Sequence, residues 1–167
     1  PSARNTGPAI LAAALHLAES EPRALMLVAP SDHVIPDPNA FRSAVEGAIE
    51  EAASGTLITF GILPTRPETG YGYLQLGDAS GPGPVPLQSF VEKPGSDRAK
   101  AMLDDGGYLW NAGIFLSTAE AMVAAFAEHQ PEMTACVKAA LKGAEQDLQF
   151  LRLGEEAFAG APSLSID

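Results

Sequence analysis

The sequence runs to 167 residues, 46% hydrophobic and 19% charged, enough chain to bury one real apolar core. A formal net charge of -11, with the ten Lys and Arg residues scattered, excludes the basic stripe of a nucleic-acid binder. No run approaches the ~18 apolar residues of a membrane span, and the single cysteine, Cys136, excludes an internal disulfide. No Cys/His group has metal-ligand spacing, and a reducing cytoplasm is the simplest compartment for such a chain.

The first predicted element is a helix from Pro8 to Ser20, with Thr6 placed to cap it and Pro8 in its first turn. Leu25 to Ala29 is a short apolar run between prolines, which predicts a strand buried on both faces. A loop follows, Pro30-Ser-Asp-His-Val-Ile-Pro36, and Asp37 and Pro38 open a second helix running to about Ala53. Phe41, Val45, Ala48 and Ile49 form its apolar face. Thr56 to Ile62 reads as the next strand. Helix, strand, helix, strand in this order predicts a mostly parallel sheet covered by helices.

The pattern then changes. Tyr71–Leu76 and Val85–Val91 read as an antiparallel pair around a Gly- and Pro-rich connection, Gly77 to Pro86, with a mobile tip. Ser96–Asp105 is a helix, Leu109–Leu116 a strand, and Ala119–Glu128 and Pro131–Lys142 two further helices. A short helix near Glu155–Ala159 sits in a less patterned tail. The class is α/β: a Rossmann-like, doubly wound domain with a mixed sheet, helices on both faces and a small antiparallel insertion.

Polar residues fall repeatedly where strands end. Ligands of open α/β sheets sit beyond the carboxyl ends of the strands, and Asp32 follows Leu25–Ala29 there. A carboxylate at that point suits Mg²⁺, which keeps waters and takes one or two carboxylates plus substrate phosphates; it equally suits a turn cap. Lys93 follows the strand ending at Val91 and offers a point charge to a phosphate, with Glu92 beside it to accept from sugar hydroxyls. A surface ion pair is the alternative. Glu68-Thr-Gly-Tyr-Gly-Tyr73 combines two glycines with two tyrosines, and glycine allows close backbone approach by a sugar; a strand entry with aromatic packing also accounts for it. Asn111 offers donors and an acceptor to a polyol, next to Trp110, which reads as core. Arg4, Asn5 and Thr6 stand at a helix N-terminus, a place for anions or polar ligand edges as well as for ordinary capping. Cys136 has no base near it in sequence and reads as a buried thiol.

In order and spacing, Arg4-Asn-Thr-Gly-Pro-Ala9, Pro30-Ser-Asp-His33, Pro64-Thr-Arg-Pro-Glu-Thr-Gly-Tyr-Gly-Tyr73, Phe90-Val-Glu-Lys-Pro94, Trp110-Asn-Ala-Gly-Ile-Phe115 and Ser163-Leu-Ser-Ile-Asp167 resemble the bacterial mannose-1-phosphate guanylyltransferases. The resemblance covers essentially the whole chain. It implies a nucleotidyltransferase fold and transfer of GMP from GTP to mannose 1-phosphate, giving GDP-mannose and pyrophosphate. It further implies Mg²⁺ on Asp32 and Asp167, with Lys93 at the sugar phosphate. Gly70, Glu92 and Asn111 would lie at mannose, with Tyr71 among the substrate-binding residues, and Arg4, Asn5 and Thr6 at the nucleotide, Asn5 nearest the base. No nucleic-acid or membrane partner is implied, and homo-oligomer formation is left open.

Two departures from the family's pattern concern Gly7, where members usually carry Ala, and Ala112, where they usually carry Ser. A larger one concerns the ends. The family opens with a Gly-rich loop bearing Arg and Lys residues that cradle the triphosphate, and it continues beyond Ser-Ile-Asp. Residues 1–167 therefore resemble an incomplete catalytic domain, expected to be inactive alone. A nucleotidylyltransferase for another hexose, such as glucose 1-phosphate with dTTP or UTP, and a non-catalytic sugar-nucleotide-binding regulatory subunit are the competing readings.

Overall fold

The computed structural model describes residues 2–79, 81 and 83–166, and several of its helices open on identifiable caps. Helix α1 spans Thr6–Ser20, and its N-cap is Asn5 rather than the expected Thr6: the Asn5 side chain accepts from the Thr6 N–H at 2.8 Å. Asn5 does this at a φ of 64°, which its short polar side chain tolerates better than most. Strand β1 is Leu25–Val28, and α2 is Pro38–Ala53, opened by Asp37, whose Oδ1 accepts from the N–H groups of Asn39 and Ala40, both at 3.0 Å. The remaining elements are β2 (Ile58–Ile62), β3 (Tyr73–Leu76), β4 (Leu87–Val91), α3 (Ser96–Asp105), β5 (Tyr108–Thr118), α4 (Ala119–His129), α5 (Pro131–Lys142), β6 (Glu145–Asp147), β7 (Phe150–Arg152) and α6 (Glu155–Ala159).

The chain divides into two units, Pro1–Met26 with Ala52–Leu57 and Ser117–Asp167, and Leu27–Glu51 with Ile58–Leu116. The first is helical. In it α1 packs on α4 and α5, and α5 on α6. Leu11, Ala14, Met122, Met133 and Val137 are buried there almost completely. Thr118 caps α4 by accepting from the Ala121 N–H at 3.2 Å, and Pro131 opens α5 where no intrahelical donor is needed.

The second unit holds most of the sheet, ordered β1-β5-β3-β4 with β2 also on β5. Trp110 of β5 lies opposite both Ile62 of β2 and Tyr73 of β3, so β5 is paired along its two edges. Tyr73, Ala99, Met102 and Trp110 form the core on this side, with Val91 and Tyr108 against it.

Several expectations change. The helix–strand alternation predicts a mostly parallel sheet, whereas the ladders β2–β5, β3–β4 and β3–β5 are all antiparallel. The long β5 takes β2 on one edge and β3 on the other. The antiparallel insertion itself is present as β3–β4. Strand β1 is not buried on both faces, since Leu25 and Leu27 are 37% and 44% exposed. On α2, Ile49 is exposed and Ala52 buried, so the inward stripe is Phe41, Val45, Ala48, Ala52. Cys136 is free but only half-buried. The connection's expected mobile tip includes Ser80 and Pro82, which lie outside the described residues.

Candidate active site

In the second unit the polar motifs converge around the start of β3. Gly72 is the meeting point. Its carbonyl accepts from the Asn111 N–H at 2.8 Å, joining the loop before β3 to β5. A Cβ on Gly72 would stand 3.0 Å from Glu92 Oε2 and 2.7 Å from Phe90 Cζ, so the missing side chain is what lets the Glu92 carboxylate lie over this backbone. Glu92 in turn pairs with Lys93 Nζ at 2.9 Å, and both side chains stay about half exposed or more, at 49% and 63%. Lys93 sits at a φ of 42°, unusual for a long side chain and of the kind found where a backbone is held for function.

Asn111 is more committed than its sequence position indicates. Its Oδ1 accepts from Thr59 Oγ1 at 3.0 Å and from the Gly113 N–H at 3.2 Å, so the carboxamide oxygen is held by β2 and by its own strand. Gly113 has a φ of 64°, and the ring of Pro30 lies nearest its bare Cα face. The Pro30-Ser-Asp-His loop therefore reaches the same strand. Asp32 stands in that loop, in an exposed turn beyond β1.

The loop before β3 is braced by side chains. Glu68 Oε1 accepts from the Gly70 N–H at 3.1 Å, and Glu68 Oε2 accepts from Arg66 Nε and an Arg66 terminal nitrogen at 3.2 and 3.0 Å. The Gly70 N–H first, and Arg66 after it, hold the Glu68 carboxyl below the usual carboxylate range. The Arg66 guanidinium lies 5.2 Å from the centre of the Trp110 ring, and Tyr71 meets that ring edge-on at 5.3 Å. Trp110 is 6% exposed, as a core residue should be, and its indole N–H has no hydrogen-bond partner among the described residues.

In the first unit two of the residues predicted to meet the nucleotide, Arg4 and Thr6, are engaged with the chain's own later residues. Arg4 donates through its guanidinium to the Ala159 carbonyl. Thr6 Oγ1 accepts from the Ile166 N–H at 3.1 Å and lies 3.3 Å from Ser165 Oγ. The Gly7 N–H donates to the Leu164 carbonyl at 3.0 Å, and a Cβ on Gly7 would come within 2.8 Å of that same oxygen. Sequence reasoning treats Gly7 as a mild departure in a first helical turn. Its role in admitting the tail has no local sequence signal.

Asp167, expected to share a metal with Asp32, lies outside the described residues. Among the described residues no three His, Cys, Asp or Glu side chains cluster to hold a metal. That is no cage for a transition metal or calcium, but a single exposed carboxylate such as Asp32 has the donor chemistry Mg²⁺ uses alongside substrate phosphates. No helix among the described residues is long and apolar enough to cross a membrane.

Glu92 and Lys93 follow β4 and Asn111 lies within β5, on either side of the Gly72 backbone before β3. Residues 1–156 match the nucleotidyl transferase family, and the chain belongs to it. Over its whole length the chain is 44% identical to a mannose-1-phosphate guanylyltransferase of Sinorhizobium fredii, covering 33% of that protein. It superposes with a TM-score of 0.86 on a crystal structure described as mannose-6-phosphate isomerase from Helicobacter pylori, at 31% identity, covering 99% of this chain and 63% of that one. With a protein described as mannose-1-phosphate geranyltransferase from Thermus thermophilus the TM-score is 0.85 at 35% identity, over 100% of this chain and 47% of the other. The chain spans about a third of the length of the curated relatives it matches.

Proposed function

We propose that this chain is part of an enzyme that transfers GMP from GTP to mannose 1-phosphate, releasing pyrophosphate and leaving GDP-mannose. The observation that carries the reading is made at Gly72: the Glu92 carboxylate lies over its bare Cα face and pairs with Lys93, and its carbonyl accepts from the backbone N–H of Asn111. A sugar phosphate needs hydroxyl acceptors, a cation and a close-fitting backbone, and those are the groups assembled. The name of the Sinorhizobium relative supports the choice of sugar and nucleotide.

In this scheme Glu92 accepts from mannose hydroxyls, with Gly70, Tyr71 and Asn111 completing the sugar contacts. The Gly70 N–H is taken by Glu68, so Gly70 contributes its carbonyl and its bare Cα face. Lys93 holds the sugar phosphate, and a phosphate oxygen attacks the α-phosphorus of GTP as pyrophosphate leaves in line. No general base is required, because a phosphate monoester with a second pKa of roughly 6 is already mostly ionised near neutral pH. Catalysis is then mainly positioning and charge neutralisation. Mg²⁺, when held by Asp32 and Asp167, supplies charge neutralisation at the phosphates. Asn5 is the residue assigned to the base. Arg4 and Thr6, first assigned to the nucleotide, also hold the tail through the bonds described above. The 167 residues alone are expected not to turn over, and the working compartment is the cytoplasm.

The test is pyrophosphate release by a full-length protein carrying this chain, with Mg²⁺, crossing GTP, dTTP, UTP and ATP with mannose 1-phosphate and glucose 1-phosphate. Preference for GTP with mannose 1-phosphate is the expected outcome. Another preferred pair would overturn the substrates while keeping the family, and no release with any pair would favour a regulatory subunit that binds a sugar nucleotide without making it. The same assay on the 167-residue chain is expected to give no release.

A further inference from the structure

The loop between β2 and β3 has little backbone bonding of its own. Pro64 and Pro67 bring no N–H, and the Glu68 N–H reaches only two residues back, to the Arg66 carbonyl at 3.0 Å. Such a loop should be loosely defined, yet it carries Gly70 and Tyr71 to the sugar end of the site. Side chains supply what the backbone lacks. The Glu68 carboxylate ties the Gly70 N–H to Arg66, Arg66 lies over Trp110, and the Tyr73 hydroxyl donates to the Glu68 carbonyl at 2.9 Å. Trp110 is a rigid platform, buried and paired on both sides within the sheet. Tyr71, 44% exposed, meets the same indole edge-on.

We infer that Glu68 is a positioning residue for sugar-phosphate binding, acting through Arg66 and Trp110 to fix Gly70 and Tyr71 in the conformation the ligand meets. This rests on the sugar-phosphate reading of the site. Glu68 does not itself touch the ligand in this scheme, because both of its carboxylate oxygens are engaged within the loop. Its removal therefore loosens Gly70 and Tyr71, whereas Arg4, Asn5 and Thr6, assigned to the nucleotide, belong to the other unit.

The experiment is steady-state kinetics of E68A and E68Q in the full-length protein, with hexose 1-phosphate and nucleotide varied separately. E68A is expected to raise KM for the hexose 1-phosphate about tenfold, with the nucleotide KM within about twofold of wild type. E68Q keeps an acceptor for the Gly70 N–H but loses the charge facing Arg66, so it should recover part of the loss. A merely structural defect would move both KM values together and lower the unfolding temperature. E68A values that move together, or do not move, would overturn the inference while wild-type turnover stands. Wild-type protein inactive with every substrate pair would sink this inference together with the reading it rests on.

Discussion

At the N-terminus of α1, Arg4 and Thr6 bond to Ala159, Ser165 and Ile166 of the same unit. At the end of β4, Glu92 and Lys93 bond to each other and keep much of their surface in water. Both stretches are polar motifs beside a regular element, and in sequence they look alike. The difference is what answers each polar group. Where the chain's own backbone answers it, substitution should register first as lost stability. Where solvent and a neighbouring charge answer it, substitution should register as lost binding or turnover.

The sharpest break in that comparison would come from Asp32, exposed and in a turn beyond β1. Asp32→Asn in a full-length protein should lower Mg²⁺-dependent turnover by about 10²-fold or more, the scale of losing a main charge-stabilising group. Mannose 1-phosphate binding, measured by calorimetry, should persist. Unchanged turnover would remove Asp32 from the metal site. A smaller effect of the opposite kind is expected from Arg4→Ala, which deletes a charged hydrogen bond from a half-buried side chain. The cost should be about 1–2 kcal/mol, read as a lower unfolding temperature. Thr6→Val should cost about 0.5–1 kcal/mol by removing the acceptor for the Ile166 N–H. A large rise in GTP KM with stability intact, in either variant, would mean that these residues serve the nucleotide rather than the tail.

Much of this was legible from the chain alone, and what was not has identifiable causes. Prolines, Gly55 and the run of apolar periodicities locate nearly all the helices and the strands of the larger sheet. The hairpin β6–β7 escapes such reading, because Glu145–Asp147 and Phe150–Arg152 are three-residue strands with little apolar alternation. Strand pairing escapes it for a different reason: that β2 lies beside β5 depends on residues far apart in the chain, Thr59 with Phe115 for instance. The sugar-phosphate residues could be named as types at strand ends. Their convergence on Gly72 could not, since it follows from the register of β3 against β4 and β5. Sequence assigns Arg66 and Glu68 no role of their own, because the Trp110 ring under Arg66 is a tertiary contact.

Gly7 sets the smallest and most discriminating test of the comparison. Replacing a helical glycine with alanine ordinarily stabilises by up to about 1 kcal/mol, through the entropy of the unfolded chain and better helix propensity. At this position the new Cβ would meet the Leu164 carbonyl oxygen at 2.8 Å, and that atom belongs to backbone, so no rotamer change relieves it. The helix gains while the tail must shift, and the Gly7 N–H bond to the same oxygen lengthens with it. Gly7→Ala should therefore leave overall stability within about 1 kcal/mol of the starting protein. In amide hydrogen exchange, the N–H of residue 7 and that of Ile166 should both exchange faster in the variant. Protection retained at both amides, with a plain gain in stability, would mean that the tail accommodates a methyl group freely. The bonds from Arg4 and Thr6, and not the close approach at Gly7, would then be what holds residues 159–166 against α1.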